Sequence, residues 1–328
     1  MSLVPSPLLY FGKLPSRGDF VRSTHGPVLL QVFDRWLSGG MELIAADARW
    51  KTLYDRAEPA RFAFLGNRQT RGLVGQWMVS QDASGRRFPF IVAATLECTD
   101  PLAFLARAPM ALARPWAHLQ RHGAQAHAAV DATPLLVSWA DSTVAVEGDA
   151  AAYDTTFDDF CEMQTVGTLQ AMLTDAGHSV DVRQLVLGLG LLLQPVLASG
   201  ETHLELGLLL PLPAEPLVQP LVGALWLDLL AGFLGRAAFE LSIFMQHSSD
   251  GAPPTMALGF EGNSPRSLHA LLDPQQVAQT YVDARQAEWV EESIGHDYGV
   301  QKLSSYLLQH GLSLQQAGKT FKETFLGS

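Results

Sequence analysis

The sequence predicts an α+β fold: an N-terminal domain with an antiparallel sheet and flanking helices, a second domain of α/β type, and a helical C-terminal arm. The first observation is a hairpin, in which residues 73–80 alternate between two faces and residues 88–96 return beside them. The second is that helical segments precede and follow this hairpin, as in α+β rather than doubly wound domains. The third is composition, because 48% of the 328 residues are hydrophobic, which is ample for sizeable cores.

The N-terminal elements follow from local patterns. Residues 8–11 form an apolar strand that ends at Gly12 and Pro15, since proline cannot donate a ladder hydrogen bond. A helix opens at Gly26-Pro27, with proline at a tolerated first position. We expect Gly39-Gly40 to break this helix, and residues 41–55 to continue as a second one.

The middle of the first half is predicted as a strand at 61–65, the hairpin at 73–96 and a long helix. This helix starts at Asp100-Pro101 and extends to about His122, with an interruption at Pro115.

The second half is predicted from similar patterns, with one ambiguous segment at 182–193 that is either a strand or a buried helix. Its other predicted elements are a hairpin of 135–139 with 143–147, a helix at 155–174, strands at 204–210, 239–245 and 255–260, a helix at 217–234, and a loop at 248–254.

Charge divides the chain unequally. Residues 1–130 carry 15 Lys and Arg against 9 Asp and Glu, whereas residues 131–328 carry 7 against 24. A small-residue stretch at 123–134 coincides with this reversal, so we predict domains at 1–130 and 131–285 and an arm at 286–328. The two halves either attract each other or face partners of opposite sign.

The loop after the first strand concentrates charge. Lys13, Arg17, Asp19 and Arg22 lie within ten residues, and Gly18 leaves one position free to take a positive φ. In one interpretation these charges pair internally, Arg17 with Asp19 or Asp34. In the other, the fixed backbone presents them to a partner, together with the arginines at the base of the hairpin.

Three sequence blocks resemble the N-terminal domain of the TagF (ImpM) family of type VI secretion accessory proteins. Residues 12–20, 33–37 and 86–90 read Gly-Lys-Leu-Pro-Ser-Arg-Gly-Asp-Phe, Phe-Asp-Arg-Trp-Leu and Arg-Arg-Phe-Pro-Phe. The resemblance is strongest over residues 8–97. It implies a cytoplasmic, bacterial, non-enzymatic protein that represses type VI secretion post-translationally by binding the forkhead-associated scaffold protein of that machine.

The partner-binding residues that we predict combine this resemblance with the position of the loop and the hairpin at strand ends. Arginine is suited to planar recognition of carboxylates, and tryptophan and arginine concentrate at interface hot spots. The candidates are Lys13, Pro15, Arg17, Asp19, Trp36, Arg86, Arg87, Phe88 and Pro89.

No constellation predicts catalysis, a cofactor or a metal. His118 and His122 have the helical spacing of metal ligands, but Gly123 is expected to separate them from His127. The acidic residues at 154–162 are explained by capping of a helix N-terminus. Two alternatives to the binding protein remain. One is a structural component of the secretion machine, and the other is a metal-dependent hydrolase that uses His118, His122 and the acidic helix.

Other partners and locations follow from charge and hydropathy. No basic stripe interleaved with aromatic residues is present, so the sequence does not predict nucleic-acid binding. The apolar segment at 217–234 contains Asp228, which opposes membrane insertion. The N-terminus lacks the pattern of a signal peptide, and Cys98 and Cys161 are expected to be buried thiols in a reducing compartment. The sequence makes no prediction about self-association.

Overall fold

The computed structural model describes residues 3–199, 204–246 and 251–327. Residues 1 and 2 of the N-terminal segment, and part of the predicted loop at 248–254, lie outside this range. The strands are β1 (Leu3–Pro7), β2 (Leu9–Gly12), β3 (Val21–Arg22), β4 (Ala60–Gly66), β5 (Arg71–Met78), β6 (Phe90–Glu97), β7 (Thr143–Glu147), β8 (Gly207–Pro211), β9 (Glu240–Gln246), β10 (Thr255–Gly259) and β11 (Tyr281–Asp283). The helices are α1 (Pro27–Ala45), α2 (Trp50–Arg56), α3 (Pro101–Ala128), α4 (Thr133–Ser138), α5 (Ala151–Met163), α6 (Val166–Asp175), α7 (Val182–Ser199), α8 (Gln219–Leu234), α9 (Pro265–Leu272), α10 (Val277–Thr280), α11 (Val290–Ile294), α12 (Tyr298–Leu307) and α13 (Leu314–Leu326).

A nine-stranded sheet is the centre of the described fold. Its strand order is β11-β8-β10-β9-β4-β5-β6-β2-β3, and its neighbours pair antiparallel except for β11 with β8. A separate two-stranded sheet pairs β1 with β7. Helices lie on both faces of the large sheet and in the C-terminal segment. The predicted α+β class, with an antiparallel sheet and flanking helices, is therefore confirmed.

The alternation of β5 explains why the sheet is covered on both faces. Val74 and Met78 belong to one apolar core, which contains residues of α3 and α8, whereas Leu73 and Trp77 belong to the other, with residues of α1 and α9. A slip of one residue would exchange these two sets, so burial on both faces fixes the register of the strand.

The large sheet crosses the predicted domain boundary at residue 130. Strand β4 pairs with β9 along its whole length, from Ala60 opposite Gln246 to Gly66 opposite Glu240. In the small sheet, β1 likewise pairs with β7. The division at residues 130 and 285 remains a prediction about independent folding, and this shared pairing argues against it.

Helix α1 continues through Gly39-Gly40, where the sequence predicts a break. A β-carbon at Gly40 would lie 2.5 Å from Cδ2 of Leu268, and one at Gly39 would lie 2.8 Å from Cγ of Pro265. The two glycines therefore let α9 approach α1 closely. The expected helix break is wrong because packing on α9 outweighs the low helix propensity of glycine.

Helix α3 also extends further than predicted, past Pro115 and Gly123 to Ala128. The predicted strand at 135–139 is instead helix α4 followed by a 3-10 turn, and β7 pairs with β1. A turn in which Asp131 accepts a hydrogen bond from the backbone N of Thr133, and the proline in the first helical turn, favour a helix start here.

The remaining helical segments settle two further predictions. The ambiguous segment at 182–193 is part of helix α7. The predicted helix at 155–174 is two helices, α5 and α6, because the side chain of Thr165 accepts a hydrogen bond from the backbone N of Thr168 and caps the second. Across the described residues, no helix combines the length and the apolar character needed to cross a membrane.

Candidate partner-binding surface

The loop after β2 and the turn between β5 and β6 lie side by side in the structure. Nη2 of Arg86 donates to the carbonyl oxygen of Gly18 at 2.8 Å, and the backbone N of Ala83 donates to the carbonyl oxygen of Arg17 at 2.8 Å. We call residues 13–20 together with residues 80–89 the loop–hairpin surface. The structure thus brings together the two segments that the sequence singles out.

Asp82 is the buried centre of this surface. Its Oδ1 accepts hydrogen bonds from the backbone N of Ser84, the Ser84 hydroxyl and the backbone N of Arg86. Its Oδ2 accepts from Nζ of Lys13 at 2.9 Å and from Nε of Arg86 at 2.7 Å. One carboxylate therefore fixes the turn and ties it to the loop after β2.

Hydrogen bonding also controls the charge of Asp82. Burial by itself raises the pKa of the Asp82 carboxyl, but hydrogen bonds from Ser84, Lys13 and Arg86 hold that pKa well below its usual range. The group is consequently ionised at any pH near neutrality.

The variant Asp82→Asn is expected to lose stability in a pH-dependent way. A carboxyl whose pKa is lower in the folded state stabilises above its unfolded pKa of about 3.9, and this contribution is lost as the pH falls through the folded value. The stability difference between wild type and Asp82→Asn should therefore be full at pH 7 and pH 5 and shrink below about pH 4.

Urea unfolding followed by circular dichroism measures this difference. Asp19→Asn is the matched control, because Asp19 is exposed and its side chain accepts only from the backbone N of Phe20 in the described structure. A difference that persists unchanged at low pH would contradict the role of the Asp82 charge.

An aromatic cluster supports the loop beside Asp82. The ring of Phe20 lies 4.9 Å from that of Phe88 and 5.8 Å from that of Phe11, measured between centroids. Nζ of Lys13 lies 5.1 Å from the Phe20 centroid. Phe20 nevertheless remains 43% exposed, so the cluster continues to the protein surface.

The nine predicted residues differ in exposure, and burial corrects part of the prediction. Trp36 is 1% exposed, packs against Phe62, Phe64 and Phe244, and donates from Nε1 to the carbonyl oxygen of Ser264. It is a core residue and does not reach the surface. Lys13 and Pro89 are also buried. The exposed or half-buried residues are Pro15, Arg17, Asp19, Arg86, Arg87 and Phe88.

The arginines of the surface have different partners. Arg17 donates from Nη1 to the hydroxyl of Thr133 at 2.5 Å, rather than pairing with Asp19 or Asp34. Arg87 makes a bidentate ion pair with Asp55, with both N–O distances at 2.7 Å. The side chain of Arg86 is 62% exposed although Asp82 holds its Nε. Arg86 therefore presents a guanidinium in a fixed position.

Sequence reasoning missed Asp82, Asp55 and Thr133. Residues 82–85 join the two strands of the predicted hairpin, but a turn composition does not reveal that the carboxylate of Asp82 is buried. The contacts of Asp55 and Thr133 join segments that are far apart in sequence, so no local pattern could indicate them.

The groups considered for chemistry have structural partners. His118 and His122 stack with centroids 4.3 Å apart, and Nδ1 of His122 lies 2.9 Å from the carbonyl oxygen of His118. Cys98 and Cys161 are buried, and burial raises the pKa of Cys98 to about 11 and that of Cys161 to about 12. Within the described residues, no three His, Cys, Asp or Glu side chains converge on a possible metal position.

Comparison with known proteins identifies the segment that carries this surface. Residues 10–139 match the family model described as the TagF N-terminal domain, type VI secretion system-associated. The resemblance seen in the sequence is thereby confirmed over a segment that includes both the loop and the hairpin. No curated protein gives a significant match to this chain.

One solved structure with a similar chain is the crystal structure of PA0076 from Pseudomonas aeruginosa PAO1. Its sequence identity is 24%, its TM-score is 0.36, and the match covers 43% of the present chain. The match spans 65% of the PA0076 chain, slightly less than two thirds of its length.

Proposed function

We propose that this chain, which carries the type VI secretion-associated TagF N-terminal domain at residues 10–139, is a non-enzymatic repressor of that secretion system. In this proposal it acts post-translationally in the cytoplasm of a bacterium. Its partner is the forkhead-associated scaffold protein, which it keeps from assembling into the secretion machine.

The observation that best supports a binding role is the fixed guanidinium of Arg86. The buried Asp82 and the carbonyl oxygen of Gly18 hold this side chain, so little conformational entropy is lost when a partner binds it. A positioned arginine fork is suited to bidentate contact with a carboxylate. Exposed Asp19 and half-buried Arg17 lie on the same loop and add charged groups for a specific partner.

Affinity purification from bacterial cells tests the partner. The tagged chain should recover the forkhead-associated scaffold protein, and no equivalent secretion-machine protein should be recovered from cells that lack the scaffold. A repressor should also be absent from purified, assembled sheaths. Recovery of the chain in sheaths at a fixed stoichiometry would instead favour a structural component, and failure to recover the scaffold would contradict the proposal.

Substitution of the arginines tests the surface. The double variant Arg86→Ala with Arg87→Ala should weaken scaffold binding roughly thirtyfold, because truncation of an interface arginine typically costs about 2 kcal/mol. Its melting temperature should fall by a few degrees without loss of folding, because Asp82 loses Nε of Arg86 but keeps Lys13 and its backbone N–H donors. The affinities are therefore compared at a temperature at which both proteins are folded.

The control for this double variant is Arg71→Ala, at the far end of β5. Arg71 also forms an exposed ion pair, with Glu97, and its side chain is 82% exposed. Arg71→Ala should leave binding unchanged. Full binding by the double variant would show that neither arginine contributes to the interface. Loss of folding would show that the two arginines stabilise the domain instead.

A further inference from the structure

A pocket of about 440 Å³ opens beside the loop–hairpin surface. It lies between the segment at 20–25, which includes β3, and the helix α4 with its following 3-10 turn. Arg17 and Phe20 belong both to the pocket lining and to the loop–hairpin surface. A partner that covers this surface would therefore meet the pocket as well.

The floor of the pocket is apolar. It is formed by Leu8, Tyr10, Leu136 and Trp139, and the rings of Tyr10 and Trp139 meet edge to face with centroids 5.7 Å apart. Val137 lies at the rim and is 68% exposed. A concave apolar floor with an exposed apolar rim fits an aliphatic or aromatic side chain from another molecule.

Helix α4 adds a second observation of the same kind. Leu135, Leu136 and Val137 follow one another in this helix, yet none of its residues is buried. Leu136 packs against the edge of the large apolar core and attaches the helix to it. The helix thus presents two adjacent apolar residues of the pocket lining, Leu136 and Val137, that are only partly covered.

The charged groups at the pocket are cationic. Arg17 and Arg22 line it, and none of the described lining residues is Asp or Glu, although the chain as a whole carries a net charge of −11. Arg22 is exposed, and its side chain has no hydrogen bond or ion pair within the described part of the chain. His25 closes one side, with Nε2 3.1 Å from the carbonyl oxygen of Ala140.

Arg17 is partly compensated, which makes Arg22 the main free charge. The Thr133 hydroxyl that accepts from Arg17 donates in turn to Asp131 at 2.6 Å. Asp131 lies outside the pocket lining, so its carboxylate does not occupy the space beside Arg22. An incoming anion would therefore be attracted chiefly by Arg22, with Arg17 as a second donor.

We propose that this pocket binds an acidic peptide segment of the partner protein. One aliphatic or aromatic side chain of the segment packs against Tyr10 and Trp139, and a neighbouring carboxylate contacts Arg22. The inference deepens the proposed function, on which it rests for the existence of a protein partner. It specifies the chemistry that the partner must present.

Selection from a random twelve-residue peptide library on the purified full-length chain tests this inference without the scaffold protein. The enriched peptides should share a large apolar residue flanked by Asp or Glu. The strongest of them, labelled with fluorescein, provides the probe for polarisation measurements. Enrichment of basic peptides, or of no acidic peptide at all, would overturn the proposal.

Two substitutions then locate the peptide. Arg22→Glu and Val137→Asp should each weaken binding of the probe at least tenfold, because the first reverses the charge and the second places a carboxylate at the apolar rim. Their matched controls are Arg71→Glu and Met163→Asp, since Met163 is 70% exposed on α5, none of whose residues lines the pocket. The controls should stay within about twofold of wild type, a change below roughly 0.4 kcal/mol.

The outcomes separate this inference from the proposed function. Probe binding that is lost in both pocket variants supports the pocket, even if the scaffold protein fails to co-purify. Scaffold binding that survives in both pocket variants overturns the pocket and leaves the proposed function standing. A dimer that dissociates in Val137→Asp, without any probe binding, would show that a second copy of the chain covers this face and would also overturn it.

Discussion

A fragment that ends at residue 130 is expected not to fold into a stable monomer. Strand β4 would lose β9, with which it pairs over seven residues, and β1 would lose β7. The face of α3 that packs on α8 would also be exposed. The two helices approach closely there, since a β-carbon placed on Gly223 of α8 would lie 3.1 Å from Cβ of Pro109 of α3. An unpaired internal strand and an uncovered apolar face favour aggregation over folding.

Circular dichroism and size-exclusion chromatography of the fragment measure this outcome. Co-expression with a second fragment, residues 131–328, is the matched control, because the missing strands and helices are then supplied in trans. The pair should co-purify and melt cooperatively. A monomeric 1–130 fragment with a cooperative melting transition would contradict this expectation and support the boundary predicted from the charge reversal.

Arg107→Ala is expected to lower the free energy of unfolding by about 3 kcal/mol. Arg107, on α3, donates from Nε to Asp154 at 3.0 Å and from Nη1 to Asp228 at 2.9 Å. Its guanidinium carbon also lies 3.9 Å from the ring centroid of Phe157. The truncation removes two ion pairs and a cation–π contact at a largely buried position, and leaves Asp228 with Lys322 as its remaining ion-pair partner in the described structure.

Urea unfolding at neutral pH measures this loss. Arg71→Ala is the control, since its exposed pair with Glu97 should contribute less than about 1 kcal/mol. Arg107→Lys should recover only part of the loss, because lysine keeps the charge without the planar fork that reaches two carboxylates. Equal effects of Arg107→Ala and Arg71→Ala would show that the network contributes nothing beyond a surface pair.

The local part of the fold could be predicted from sequence because period-2 and period-3.6 patterns report burial directly. The alternation of residues 73–80 predicted that Val74 and Trp77 lie on opposite faces of β5, and in the structure they belong to different apolar cores. The pairing of β4 with β9 could not be predicted in this way, because it joins residues such as Phe62 and Phe244 that no local pattern connects. Gly40 misled the prediction because its role is contact with Leu268 rather than a chain break.

The candidate surface was predictable to the extent that strand ends lie together. Arg17 follows β2 and Arg86 precedes β6, and these two strands are antiparallel neighbours, so the end of one lies beside the start of the other. Burial of charged or amphipathic side chains was not predictable, as Lys13 and Trp36 illustrate, because it depends on partners distant in sequence such as Asp82 and Ser264. The pocket floor also depends on α4, which the sequence pattern indicated as a strand.

Isothermal titration calorimetry of the purified chain with the purified forkhead-associated scaffold protein measures the proposed binding directly, as a dissociation constant. We expect saturable binding by wild type, binding weakened roughly thirtyfold by Arg86→Ala with Arg87→Ala, and wild-type affinity for Arg71→Ala. No heat of binding with wild type, or equal affinity for all three proteins, would contradict a partner-binding role for the loop–hairpin surface.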